Sequence, residues 1–424
     1  MNKKIFLAVI AALLCAVIAV AGITVGRQAQ SSETAPESPK PPVTLQPPTD
    51  TLPSETEDAP PLETEPPPPY AGRTFILLVP NSGELFLGDS ATGDAVSEAI
   101  YKRNLAVCKS TGVTMVFKYS LDVYKELEAE SLAGKAVPDL IMPNLREDGS
   151  RFLMNGGLWD VSGIYESSAG GAEAAKSLSV SKKQYFLIGE ATPSLILSLN
   201  MLRVKRDSAI APVISELADR GALDADNLFA ALAENEKKLC LDREGLHAFA
   251  TDGIFSLSAE GEAFVDSESY ADAVSSIAKY SGSIALSVDE NAELSIGTYI
   301  GEGYLYFPIP PLSESDRGLL ADASGVYPFA IPSDCPDYDM SACIFDAIAK
   351  SSTGLSELVC SEYGLPKDAA DSASLCLYGI FGWGDFSSHA YNALSTNKIN
   401  SLKKTLEAPK KASLQALAIL FERN

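Results

Sequence analysis

The stretch from Arg73 to Met142 alternates short apolar runs with segments of helical period, and few folds accommodate that order. Arg73–Pro80 (RTFILLVP) is a buried-strand pattern closed by Pro80-Asn81-Ser82-Gly83. Asp94 is placed to cap a helix reaching about Ser110, with Val96, Ala99, Ile100 and Val107 on one face and Gly112 as its stop. Val113–Tyr119 predicts a second strand, Leu121–Leu132 a second helix and Pro138–Met142 a third strand. Strand, helix, strand, helix, strand implies a parallel sheet covered on both faces. Ligands of such sheets bind beyond the carboxyl ends of the strands, here near Asn81–Asp94 and Pro143–Arg146.

The amino-terminal part has a different character. Lys3 and Lys4 precede the charge-free apolar run Ile5–Val25, whose 21 residues suffice to span a hydrocarbon core. The flanking lysines favour a cytoplasmic amino terminus. Three readings fit the run: an uncleaved membrane anchor, a signal peptide cut after Ala19-Val20-Ala21, or lipidation at Cys15. Each puts the rest of the chain outside the cell. Residues 28–70 then hold 13 of the 26 prolines and a net charge of 1 − 8 = −7, so this segment is expected to be a disordered, extended stalk.

Composition narrows the function. The charge of −23 opposes binding to a polyanionic backbone, and two histidines, His247 and His389, are too few for a histidine-rich metal site. No G-x-S-x-G, H-E-x-x-H or G-x-x-x-x-G-K-[ST] motif occurs, so no enzyme, metal or cofactor is expected. The cysteines outside the apolar run lack C-x-x-C spacing and are expected to be buried free thiols. Asp334, Asp337, Asp339, Asp346, Asp368 and Asp371 form no calcium loop and read as a solvated acidic face.

Gly93-Asp94-Ala95-Val96-Ser97-Glu98-Ala99-Ile100-Tyr101-Lys102-Arg103-Asn104 resembles the first helix of the extracellular solute-binding proteins of bacterial ABC importers, in their Gram-positive branch. Pro138-Asp139-Leu140-Ile141-Met142-Pro143 and Asn155-Gly156-Gly157-Leu158-Trp159-Asp160-Val161-Ser162 are similar to that family's "D-L-I-M-P … G-G-L-L-D-L-S" stretch. Gly325–Pro332 and Tyr378–Gly384 continue the resemblance. It implies an α/β, two-lobed type II periplasmic-binding-protein-like fold with crossing hinge strands. The expected division is 71–197 plus 308–352 for the first lobe and 198–307 plus 353–424 for the second.

The function so implied is binding of a small solute, a carbohydrate by preference, by lobe closure, with ABC permease subunits as partners, no nucleic acid, and membrane attachment through the amino-terminal segment. Sugar rings need flat aromatic faces and hydroxyl-binding groups. The candidate ligand residues are Asp89, Ser90, Asn144, Trp159, Tyr327 and Trp383, with Arg146 as a further cation beside them. The long stalk and the presence of only two tryptophans motivate an alternative: a tethered, non-transporting sensor or interaction module on a degenerate solute-binding fold.

Overall fold

In the computed structural model, which describes residues 38–47, 67–81, 87–91, 93–165, 178–250, 255–257, 263–287, 289, 291–312, 319–367, 369, 373–374 and 385–423, the alternation between 73 and 142 becomes a sheet. Strands β1 (Val43–Leu45), β2 (Thr74–Pro80), β3 (Thr114–Ser120) and β4 (Leu140–Ile141) lie in the order β1-β3-β2-β4. β2 runs parallel to both β3 and β4. Phe75, Leu77, Leu78 and Val79 are all buried, as a central parallel strand covered on both faces requires. Helix α1 (Ala95–Thr111) starts where Asp94 accepts a hydrogen bond from the Ser97 N–H at 2.8 Å and stops at Gly112 with φ of 79°. Helix α2 (Val123–Leu132) is capped in the same way by Asp122.

β1 corrects the expectation of a structureless stalk. Val43-Thr44-Leu45 pairs antiparallel with Phe117, Val116 and Met115, and Leu45 is buried. A short apolar run between prolines can satisfy an open sheet edge, which otherwise presents unpaired backbone groups. The run Ile5–Val25 lies outside the described residues; among those described, no helix is long and apolar enough to cross a membrane.

After a helix α3 (Ser150–Asn155) the chain reaches Leu187, bends through the helical turn Ser194–Leu197, and enters a second sheet. There β5 (Met201–Lys205), β6 (Leu239–Leu241), β9 (Ile284–Leu286), β10 (Leu294–Gly297) and β11 (Tyr304–Phe307) take the order β11-β5-β10-β6-β9, while β7 (Phe255–Leu257) and β8 (Ala263–Val265) form a separate hairpin. Helices α4 (Ala211–Asp219), α5 (Ala225–Glu234), α6 (Arg243–Ala250) and α7 (Ser267–Ala278) belong to this second lobe. A two-stranded pair, β12 (Leu319–Leu320) with β13 (Ala373–Ser374), follows.

The chain then returns. Phe329 and Ala330 pair antiparallel with Leu187 on one side and Ile141 on the other, so a late strand sits between β4 and Leu187 in the first sheet. Helices α8 (Tyr338–Lys350) and α9 (Leu355–Tyr363) both pack on α1, so the final passage to the second lobe comes after α9 rather than at 353. Its buried face of Leu355, Val359 and Cys360 holds α9 there. Helices α10 (Asp385–Ser395) and α11 (Glu407–Arg423) end the chain, with α10 against α6. Two sheets, an inserted return strand and adjacent crossovers make this the two-lobed type II periplasmic-binding-protein-like α/β fold. Among the described cysteines Cys108, Cys240, Cys335 and Cys343 are free thiols; Cys108 and Cys360 are buried and the others half-buried.

Arg103 of α1 ties the first lobe together. Its buried guanidinium donates to Asn104 Oδ1, to the Ala191 carbonyl at 3.2 Å and to Ser352 Oγ, and lies 5.5 Å from the Phe329 ring centre. Burial pushes its pKa down to about 10, which leaves it charged at neutral pH. The Asn104 amide in turn holds the Leu87 and Gly88 carbonyls at 2.8 and 3.0 Å, pinning the loop after β2 to α1. Gly88 has φ of 60°, and a Cβ there would come within 2.8 Å of the Ile100 and Tyr101 backbone. Gly88→Ala is therefore expected to cost at least about 2 kcal/mol, read as a lowered midpoint in urea unfolding, because the left-handed penalty and the clash add.

Candidate ligand-binding site

The carboxyl ends of β2, β3 and β4 form one edge of the first sheet, and the crossovers run beside it. After β2, Asp89 accepts a hydrogen bond from the Tyr119 hydroxyl and another from Ser90 Oγ at 3.1 Å. Tyr119 is buried and Asp89 half-buried, so this carboxylate is held by a rigid partner while part of it faces solvent. Burial and the adjacent Asp89 both raise the Tyr119 pKa, keeping the phenol protonated as the donor. Ser90 is exposed.

The docked strand β1 delivers a cation to the same edge. The Lys40 N–H donates to Asn81 Oδ1 at 3.0 Å, and the Lys40 ammonium lies 5.9 Å from the centre of the Tyr119 ring. Neither Lys40 nor Tyr119 was legible as a site residue. The only available signal was the lone lysine in a stalk otherwise carrying acids.

After β4, Asn144 caps a single π turn, Leu145–Gly149. Its Oδ1 accepts from the Arg146 and Glu147 N–H groups, and its Nδ2 donates to the Ser324 carbonyl at 2.7 Å. Both halves of that amide are thus engaged in tying the turn to the returning chain. The same region is stitched by Asp322 N–H to the Ser198 carbonyl at 2.7 Å and by Tyr327 N–H to Ser194 Oγ at 3.0 Å. Tyr327 itself is half-buried beside this junction. Gly325 passes so close to Ser198 that a Cβ would lie 2.3 Å from its Oγ.

Arg146 points from this turn toward the second lobe. It is 3.9 Å from Asp322 of the crossover, and its charge acts on His247 of α6. His247 Nδ1 is 3.2 Å from the Tyr270 hydroxyl, and Tyr270 stacks edge-on with Phe386. Burial, with Arg146 adding to it, pushes His247 down to about 4. Asp89, Ser90, Asn144, Tyr327 and Arg146 therefore share one edge of the first lobe.

Trp159 does not join them. Its N–H bonds the Ile331 carbonyl, its ring packs 4.9 Å from that of Tyr338, and it sits with Cys335, which feels the charge of Asp139. Asp139 precedes β4, and Asp337 beside Tyr338 pairs with Arg73, which precedes β2, at 3.1 Å. Those residues mark the amino ends of the parallel strands, so Trp159 is at the opposite edge. Leu158 pairs with Pro332 at this edge, which sequence spacing alone does not reveal. Trp383 lies outside the described residues.

No family model and no curated protein matches the sequence. Solved structures similar to the chain include a cyclo/maltodextrin-binding protein complexed with maltotetraose, at 15% identity and a TM-score of 0.49, covering 85% of this chain and 98% of that one. Another is UgpB from Mycobacterium tuberculosis in complex with glycerophosphocholine, at 13% identity, TM-score 0.49, and 83% and 99% coverage. A third is an ABC transporter solute binding protein from Thermotoga lettingae TMO bound with alpha-D-tagatose, at 14% identity, TM-score 0.44, and 82% and 99% coverage.

Two titrations test the edge. Asp148, in the π turn, is buried with Asn144 N–H donating to it at 3.2 Å, and desolvation pushes it up to about 6. A raised carboxyl pKa means the folded state binds more protons between about 4 and 6, so stability falls as pH rises through that window. Asp148→Asn keeps an acceptor without the charge. It is expected to gain about 1–2 kcal/mol at pH 7.5 and nothing at pH 4, measured by urea unfolding at both. His247 has the opposite sign. With its folded pKa depressed to about 4, the unfolded state binds the extra proton. Stability is full above about 6.5 and falls toward 4, by about 1–2 kcal/mol given the partly open ring. His247→Gln should flatten that acid limb of the stability curve.

Proposed function

We propose that the chain is an extracellular receptor that binds a small solute, a carbohydrate by preference, between its two lobes, and presents it to the permease of an ABC importer. The observation that carries this reading is the convergence at one edge of the first lobe of Asp89, Tyr119, Lys40, Arg146 and Tyr327, beside the crossovers and facing His247 of the second lobe. A carboxylate that accepts from sugar hydroxyls, cations that donate, and aromatic rings for the apolar face are the groups a polyol needs. The crossovers run beside this edge, and closure about them needs only a few backbone dihedrals to change. The membrane segment Ile5–Val25 would keep the receptor at the surface where its permease works.

A second reading has its own support. Asn144 uses its whole amide to hold the turn, and Trp159 stands on the far edge, so two groups expected to grip a ligand are committed elsewhere. A tethered sensor or interaction module on the same fold would retain the architecture without the grip.

Thermal melting of the full chain against mono- and oligosaccharides, amino acids and peptides separates the two. A solute at 100 times its Kd should stabilise the protein by about 2.7 kcal/mol. Asp89→Ala is expected to weaken that solute at least tenfold in calorimetry while leaving the unliganded melt within about 1 kcal/mol. A flat response to every compound would select the non-transporting reading.

A further inference from the structure

The second sheet has two unlike faces. Leu202, Val204, Leu239, Leu241, Leu294 and Ile296 form the first, and all are buried. The second face is polar in register: Tyr306 lies opposite Arg203, Arg203 opposite Ser295, and Ser295 opposite Cys240, with Tyr304 opposite Lys205 in the next row. A sheet layered in helices is ordinarily apolar on both sides, and a guanidinium at mid-strand, one strand from the centre, needs a reason.

Arg203 is braced in place. Its Nε donates to Ser295 Oγ at 3.0 Å and its Nη1 to the Thr298 carbonyl at 3.3 Å. Ser295 is itself buried, and the guanidinium lies against Gly297, where a Cβ would approach it to 2.8 Å. The glycine leaves room for the fork, and the serine sets its angle.

A cavity of about 750 Å³ opens over this face. Arg203, Lys205, Ser295 and Cys240 form its floor, with Arg206 just beyond the strand and Tyr304 at one side. Every lining residue falls between 203 and 304, so the space is separate from the first-lobe edge. The volume matches that of small-molecule sites. At its rim, beyond the strand ends, stand Asp242 and Asp289, each oriented by a backbone N–H: Gly245 at 2.6 Å and Asn291 at 2.9 Å.

We propose that this cavity is a second ligand site, for a small polyhydroxylated acid such as a sugar acid or sugar phosphate. A braced guanidinium fork fits a carboxylate or phosphate edge, and Lys205 and Arg206 add charge where a chain of −23 would otherwise repel an anion. The oxyanion sits on the cationic floor, the ring lies along Tyr304, and the hydroxyls donate to the rim carboxylates. A bare anion would meet the rim acids without hydroxyls to offer them.

Isothermal titration calorimetry of the full chain with D-glucuronate, D-glucose 6-phosphate and D-glucose tests the site, the first two arms separating carboxylate from phosphate. At least one acid should bind, tenfold or more tighter than glucose, and weaken with added salt. Arg203→Met should reduce that affinity at least tenfold and Lys205→Ala severalfold, while Asp89→Asn leaves it unchanged. Lys205→Ala carries the test alone if Arg203→Met loses its cooperative melt. No heat with either acid, equal binding of glucose, or acid binding indifferent to both cation variants would overturn the proposal. Binding abolished by Asp89→Asn and retained in Arg203→Met would also overturn it, by assigning the acid to the interlobe edge.

Discussion

The rest of the architecture depends on one antiparallel insertion. Phe329 and Ala330 fill the gap between β4 and Leu187. Until that strand arrives the first sheet has an open edge on each side of the gap, with backbone donors and acceptors unpaired. The chain must therefore build the second lobe and come back before the first is complete. Outward and return segments are forced alongside one another, which is why Leu199 pairs with Ala321 and Asp322 bonds Ser198. The junction between the lobes is a consequence of completing the first sheet.

That junction also explains which polar groups are available to a ligand. Thr192, Ser194 and Asn144 are buried there and are consumed by backbone partners, since an unsatisfied buried group costs about 1–3 kcal/mol. The groups at the rim are different. Asp89 keeps a solvent-facing side after Tyr119 has oriented it, and Arg146 projects from the turn that Asn144 caps. Polar residues with backbone partners thus support the candidates at the rim.

The parts visible in the sequence were those decided locally. Period, capping by Asp94, and the Gly112 stop place α1 and α2 within two residues of their observed bounds, because each signal is read within one or two turns. Strand β1 was invisible because its partner Met115–Phe117 lies some seventy residues away, and the composition around Val43 argues for a stalk. Tertiary pairing overrode composition there. Asp89 could be located from strand-end logic alone. Trp159 stands apart from the other candidates because its edge of the sheet is set by the long-range pairing of Leu158 with Pro332.

The docking of β1 brings part of the proline-rich segment to the candidate site. Val43–Leu45 is held on β3 through its pairing with Met115–Phe117. The same docking sets Lys40 over Tyr119, which orients Asp89. A solute that drew on Asp89 or Lys40 would therefore be linked to the docking of β1, each strengthening or weakening the other by the same factor. A body that began at Tyr70 would carry no such lysine at this edge.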